Sequence, residues 1–371
     1  MHVQPLARRG THAQLERWRR AWLRAQVVKL LSRFANYQGP GDQPGVTLDL
    51  MRQGDVGVIF SALYCPFDEI DLTQRYGAKP QRAYFDDLCE QLEDVESDIA
   101  AHAVHFPVVI AHSRAELDTA LNEGKQVLIH SVEGGFHLGG SEQEVTANVA
   151  ELARLGVVCI TVAHLFWRGV ATNAPALPFM SDWLYEHVFC QPRRTGLTAL
   201  GRALVTAMAD NGILIDVTHM SDAARVQTLQ LLDDHAPGTP VVATHMANRL
   251  GKLEYNLSEQ DVKSITDRGG VLGLIACEHY ISDGRDKPQS FHDSFKLLCE
   301  HIDRICEIAG NDDHVAFGTD LDGYIKPALP GLEHLGRMHR LQSALADKYG
   351  AVSAEKFSSA NALRLIRAVW R

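Results

Sequence analysis

Nothing in this sequence approaches the run of about 18 apolar residues that a membrane-spanning helix needs, and no charged-then-apolar leader opens it. Cysteine is sparse. The seven residues (Cys65, Cys89, Cys159, Cys190, Cys277, Cys299 and Cys306) are odd in number, scattered, and contain no C-x-x-C pair. That fits buried free thiols in a reducing compartment better than a disulfide frame or a cysteine-built zinc site, so the cytoplasm is the expected location. Positive charge is in deficit. With 36 Lys and Arg against 46 Asp and Glu, the net charge of −10 argues against nucleic acid as the main partner. Internal repeats and low-complexity tracts are also missing, which removes solenoids and linker-rich chains. What remains is an ordinary globular composition, 46% hydrophobic and 22% charged, in 371 residues. That length suits one large (β/α)₈ barrel or two smaller domains.

The pattern along the chain favours the first. Strand-like VGVIFSALY (56–64) precedes a charged helical stretch over 84–103, and PVVIA (107–111) is a short extra strand. KQVLIHS leads to a helix over 142–155, VVCITVAH to a long loop and a helix over 197–210, and ILIDVTH to 221–235. PVVATH leads to 258–268, VLGLIA (271–276) to 291–309, and VAFGTD to 332–348, with a last helix over 353–369. Strand and helix alternating at this rhythm mean parallel strands with crossover helices. Setting aside 107–111, seven strong strands are legible where a closed barrel needs eight. The missing one should be the first, and the opening MHVQPL reads as the last few residues of such a strand. Residues 11–37 read as a basic amphipathic helix. Leu15, Trp18, Trp22, Val27, Leu30 and Phe34 recur at helical spacing among interleaved arginines. That pattern serves either a membrane surface or, the reading preferred here, a barrel helix with snorkelling arginines. The expectation is a single TIM-barrel domain over 1–371, with its first strand truncated or nearly absent.

Four strands deliver a metal-type side chain at their C-terminal ends: Glu133 in VLIHSVEGG, His219 in ILIDVTH, His245 in PVVATH and Asp320 in HVAFGTDLDG. That rim is where α/β barrels keep their chemistry. A lone E-G-G reads more readily as a turn acid, and a lone strand-end histidine as a hydrogen-bonded rim residue. Four together on one rim share one explanation, a metal site. Imidazoles at 219 and 245 suit zinc, and the Glu133 carboxylate, followed by two glycines, can approach a bulky centre and bridge two cations. Asp320 is a ligand or a general base. His164 ends VCITVAH ahead of LFWRGVATNAPALPF, a loop apolar enough to wall a substrate pocket. Arg249, four residues past His245, is the nearest cation and either anchors a substrate carboxylate or forms an ion pair. Asp216 is placed to orient a ligand histidine or to serve structure alone.

The series VEGG, ITVAH, GLTALG (196–201), IDVTHMSD, VVATHMANR, FGTDLDG and NALRLIR (361–367) resembles the membrane (renal) dipeptidase family of the amidohydrolase superfamily. The resemblance runs in order from the first residues to the C-terminus. It implies a (β/α)₈ barrel with two zinc ions bridged by Glu133, one held by His219 and His245, the other by a His-x-Asp pair at the end of the first strand. By the same resemblance His164 contacts the scissile amide, and Asp320 handles the proton of the attacking water. Two departures stand out. The only candidate for the His-x-Asp pair is His2-Val3-Gln4, with a neutral amide in place of the acid. The arginine expected to bind the dipeptide carboxylate is replaced by Tyr255, in EYNLSE, with Arg249 nearby in a different register.

The function expected is a zinc-dependent dipeptidase-like hydrolase with one or two Zn²⁺, acting on a dipeptide or similar small acyl-amino compound. Its catalytic residues are Asp320 and His164; its metal residues are Glu133, His219, His245 and His2. Substrate binding falls to His164, Arg249 and Tyr255. No nucleic-acid or membrane partner is expected, and a homodimer is compatible with the sequence. The rivals are lactone, N-acyl-amino-acid or phosphoester hydrolysis on the same metals, and a non-catalytic ligand-binding relative with a damaged metal site.

Overall fold

The computed structural model describes residues 44–71, 73–103, 107–323 and 327–370. His2, Gln4 and the helix expected over 11–37 lie outside the described residues. Among those described, eight parallel strands form one sheet: β1 (Val58–Leu63), β2 (Val108–Ile110), β3 (Gln126–Glu133), β4 (Cys159–Thr161), β5 (Leu214–Asp216), β6 (Val241–Met246), β7 (Val271–Leu274) and β8 (Val315–Phe317). The order is β1-β3-β4-β5-β6-β7-β8, with β2 pairing only beside the first half of β3. The minor strand at 107–111 is thus a side strand, as its brevity suggested, and β1 and β8 end the sheet among the described residues. A strand closing the barrel between them is not among those described, so the fold is stated as α/β with a curled parallel sheet.

The curl can be read from side chains. Strand residues alternate faces. Ile160, Ile215, Ala243, Leu272 and Val315 face the crossover helices in the main apolar cluster. Their chain neighbours Cys159, Leu214, Val242, Val271 and Ala316 instead meet one another in a second cluster with Val127, Ile129, Leu365, Ile366 and Trp370. Inner faces of β3 through β8 share a single core only if the sheet wraps around it. The C-terminal helix seals that core at the foot of the strands. The close packing above it needs glycine: a Cβ on Gly273 or Gly318 would collide with the Thr244 carbonyl on β6.

The crossover helices start where hydroxyl residues cap them. Ser113, Ser141, Thr198, Ser221, Ser258 and Ser290 each accept a hydrogen bond from the backbone N–H three residues on. Ser141 with Glu144, and Ser258 with Asp261, close reciprocal boxes. Helices Ala199–Asn211 and Phe291–Ala309 stop at Gly212 and Gly310, whose φ of 69° and 75° suit glycine. The helix Arg114–Asn122 was not expected, and two of the expected helices differ in form. The stretch expected as helix 332–348 begins with a 3₁₀ turn, Leu335–Arg337, because Leu335 N–H is tied to the Gly45 carbonyl, and the α-helix is Met338–Tyr349. The last helix, expected unbroken over 353–369, carries a π turn at Lys356–Ala360. Just past the turn, the Asn361 amide donates to the carbonyls of Asp312 and Val315 at the foot of β8, both at 2.9 Å. No described helix is long and apolar enough to cross a membrane.

Candidate metal centre and its rim

Strand ends β3, β5 and β6 bring Glu133, His219 and His245 together, all buried, with ligand atoms within 4.8 Å of one another. Glu133 Oε1 lies 3.6 Å from His219 Nε2 and 3.3 Å from His245 Nε2, and the two ring nitrogens are 3.1 Å apart. His219 reaches this point at φ 65°, a left-handed conformation rare outside glycine and enriched at functional sites. The two glycines after Glu133 serve packing. A Cβ on Gly134 would strike the Phe136 ring, and one on Gly135 would strike Leu204 and the Val162 carbonyl.

The orientation of His245 follows from a chain of hydrogen bonds. Asp216 is fully buried and accepts from five donors: Thr218 N and Oγ1 (3.0 and 2.6 Å), Thr244 N (3.0 Å), Thr161 Oγ1 (2.6 Å) and Thr244 Oγ1 (2.6 Å). A carboxylate only accepts, so the single Thr244 hydroxyl proton goes to Asp216. The Thr244 oxygen then accepts from His245 Nδ1–H at 2.9 Å. With its proton on Nδ1, His245 presents the Nε2 lone pair to Glu133 and His219, which is the form a cation requires. Asp216 therefore does orient a donor histidine, through Thr244. Burial lowers the His219 pKa to about 4, despite the opposing pull of Glu133, and so keeps that ring neutral. Burial works the same way on His245, but Asp320 and Glu133 outweigh it and the net direction is upward. Two imidazoles and a carboxylate converging in a buried pocket fit a divalent metal of the zinc type.

Asp320 stands at the end of β8 with φ 51°, half-buried, its charge felt at His245. Gly323 makes room for its carboxylate, which a Cβ there would strike. His164 completes the rim. Its Nε2 is 3.4 Å from Glu133 Oε1, and its Nδ1 is 2.8 Å from Glu69 Oε2. Burial alone would lower its pKa, but the Glu69 and Glu133 carboxylates raise it to about 10. Glu69 carried no recognisable motif in the sequence. Its only signal is its place in CPFDEID, directly after the first strand, 95 residues from its partner.

The two residues expected to hold a substrate carboxylate are otherwise engaged. Arg249 forms a bidentate pair with Asp222 (2.6 and 3.0 Å) and donates to the carbonyls of Glu254 and Asn256. Asp222 is shared with Arg225. Arg249 thereby clamps the loop after β6 with its charge compensated. Tyr255 is 1% exposed; its hydroxyl donates to the His245 carbonyl at 2.6 Å, and its ring stacks on Tyr280 at 4.1 Å. It backs the donor cluster from behind, its ring centroid 5.2 Å from that of His219.

The loop after His164 is more ordered than expected and includes a short helix, Asp182–Val188. Asn173 and Gln191 exchange two hydrogen bonds, and the Asn173 amide donates to Leu165 O at 2.9 Å. Phe166 packs against Phe189 at 4.7 Å, and Phe189 in turn meets Tyr76 at 5.9 Å. A second buried group of metal-type residues, Cys65, Asp68 and His137, lies behind this rim. There, burial pushes the His137 pKa down to about 3.

The chain is similar to known proteins in sequence and in fold. Relatives include an uncharacterised protein in the pqqA 5′ region of Klebsiella pneumoniae, 27% identical over 77% of this chain and 97% of its own. Dipeptidase tcpJ of Claviceps purpurea is 23% identical over 87% of this chain and 69% of its own. Among solved structures, a metallopeptidase from Rhodobacter sphaeroides bound to a phosphinate mimic of the dipeptide L-Ala-D-Ala superposes with a TM-score of 0.72 at 18% identity, covering 93% of this chain and 96% of that one. The probable dipeptidase PvdM of Pseudomonas aeruginosa superposes at 0.66 with 20% identity, covering 89% and 91%. The sequence model of the membrane dipeptidase family matches residues 25–371. The chain is therefore a member of the membrane dipeptidase family, peptidase family M19, and a metal-dependent, dipeptidase-like hydrolase.

Proposed function

We propose that this protein is a zinc peptidase cleaving the amide bond of a dipeptide or a similar small acyl-amino compound, on a sheet closed as a (β/α)₈ barrel. The observation that carries the reading is the convergence of Glu133 Oε1 with the Nε2 atoms of His219 and His245 in one buried cluster. Those three residues would hold one zinc ion. A second ion, for which His2 is the sequence candidate, would bind more weakly because Gln4 stands where an acid is expected. When bound, zinc supplies Lewis acidity and an activated water at neutral pH. The chain's own residues do the rest. Asp216, through Thr244, fixes the His245 tautomer; His164 Nε2 donates to the oxygen on which negative charge develops; Asp320 takes a proton from the attacking water and delivers it to the leaving amine.

The engagement of Arg249 and Tyr255 sharpens the substrate class. A free carboxylate is best read by an uncompensated, bidentate arginine, and neither residue offers one. Phe166, Phe189 and Tyr76 instead favour an apolar acyl or side-chain group. The test couples metal analysis to a hydrolysis panel of Gly-Gly, Leu-containing dipeptides, their C-terminal amides, N-acyl amino acids and lactones. Bound zinc, with cleavage favouring bulky apolar substrates and little discrimination against amides, is expected. Efficient cleavage of Gly-Gly would remove the apolar preference, and cleavage of lactones alone would replace the peptidase reading.

A further inference from the structure

Glu69 lies on the short helix Pro66–Glu69, immediately after β1, and is 2% exposed. Both of its oxygens are engaged. Oε1 accepts from Phe166 N–H at 2.9 Å; Oε2 accepts from the Tyr64 hydroxyl at 2.7 Å and from His164 Nδ1–H at 2.8 Å. The Tyr64 ring also packs edge-on against the His164 ring at 4.6 Å, and the His164 ring meets that of His219 at 4.6 Å. His164 itself stands three residues beyond β4, where the sheet gives way to a long loop. Its aim is set by these contacts. One carboxylate oxygen holds the loop backbone two residues on; the other holds the ring.

We propose that Glu69 is a positioning residue for hydrolysis, fixing the His164 ring by its Nδ1–H so that Nε2 faces the centre formed by Glu133, His219 and His245, with Tyr64 locking the carboxylate in turn. The inference rests on the peptidase reading above for its catalytic consequence, but the hydrogen bond itself does not depend on that reading. A carboxylate at Nδ1 places a proton there and leaves Nε2 as the atom turned to the substrate, the arrangement by which an acid orients a histidine in acyl-transfer enzymes. An amide at position 69 cannot reproduce it. A glutamine that keeps its oxygen on Phe166 N–H turns its NH₂ toward Nδ1, and must either expel the Nδ1 proton or swing the ring away.

The experiment has two arms on the full-length protein. In the first, ¹⁵N-histidine NMR of the metal-free protein reads the His164 Nδ1–H directly. Glu69→Gln is expected to lose or strongly shift that signal, with the His219 and His245 signals little changed. In the second, Glu69→Gln in the metal-loaded enzyme is expected to lower kcat about 10²-fold with KM and metal content within about twofold, the scale of losing one oriented donor to the transition state. In a His164→Ala background the same change should cost less than about twofold, because there is no ring left to position. Tyr64→Phe should give the same pattern, reduced to a few-fold. An equal kcat loss from Glu69→Gln with and without His164 would make Glu69 a structural residue, and an unmoved Nδ1–H signal would overturn the positioning role outright. If the wild-type protein cleaved no dipeptide or acyl-amino compound, the peptidase reading would fall while the NMR arm still decided the hold of Glu69 on His164.

Discussion

On the donor side of the rim, Glu133 and His245 are the last or near-last residues of strands, His219 follows β5 closely, and Asp216 ties β4, β5 and β6 together beneath them through Thr161, Thr218 and Thr244. On the recognition side, His164, Arg249 and Tyr255 are each held through the side chain itself: His164 by Glu69, Arg249 by Asp222, and Tyr255 by the carbonyl of His245 on β6. The donor side is rigid because strand register places it and a buried carboxylate with five donors locks it. The recognition side is set by side-chain hydrogen bonds that close loops, so its residues are used up in shaping the pocket and offer less to a ligand. The comparison teaches that a charged residue beside a metal centre is a substrate anchor only if nothing already neutralises it.

The sharpest way to break the comparison is to separate ligand from proton carrier. His219→Ala should lose bound metal and activity together, since a donor cannot be removed without emptying its site. Asp320→Asn should keep the metal and lower turnover by roughly 10²–10⁴-fold, the usual worth of a positioned acid–base group. Metal content measured beside kcat separates the two. If Asp320→Asn strips the metal as His219→Ala does, Asp320 belongs to the donor side.

A smaller effect tests the relay. In Asp216→Asn the amide NH₂ would face a threonine hydroxyl, so Thr244 would accept there and turn its proton to His245 Nδ1. The His245 proton would then sit on Nε2, the wrong atom. Metal affinity should drop about 10–100-fold, while the fold survives. Competition titration with a chelator measures it, and unchanged affinity would show that His245 is oriented without Asp216.

Burial of the donor side's foundations should appear in the pH dependence of stability. His137, four residues past Glu133, has its pKa lowered from 6.5 to about 3, by burial first and the neighbouring His164 charge second. As pH falls below 6.5, the unfolded chain binds a proton that the folded chain refuses. Stability should therefore decline from there down to about pH 3, by up to about 1.4 kcal/mol per pH unit for this one proton. Denaturant unfolding of metal-free protein between pH 4 and 7 should show a shallower decline in His137→Leu than in wild type, and parallel declines would mean that His137 is protonated in the folded state.

The mildest effect on activity is expected from Arg249→Ala. With Arg249 committed to Asp222 and the 254–256 carbonyls, its loss should lower thermal stability but change KM for free dipeptides by less than about threefold. A tenfold rise in KM confined to free carboxylates, with amides unaffected, would return Arg249 to the substrate.

Most strands were legible because a parallel strand buried on both faces must be an apolar, β-branched run. The helices capped by Ser141, Thr198, Ser221, Ser258 and Ser290 were legible to within a few residues, because a Ser or Thr followed by an amphipathic stretch has one reading, whereas the short helix Arg114–Asn122 after Ser113 was not expected. Glu133, His219, His245 and Asp320 were legible because a strand's C-terminal end is fixed by the strand itself. The π turn in the last helix was not legible, since it depends on Asn361 reaching the foot of β8. Nor was Glu69, whose meaning lies in an atom 95 residues away. Arg249 was legible as a cation but not as a compensated one.

The sequence by itself determined the alternation of strands and helices, the donor residues and the rim they share, because period, branching and strand-end position are local properties of the chain. Only the tertiary structure decided which nitrogen of His245 faces the centre, which carboxylate holds His164, and that Arg249 and Tyr255 are spent on the protein itself. Those outcomes depend on single protons and on distances of about 3 Å between residues far apart in the chain, and no pattern within a segment encodes them.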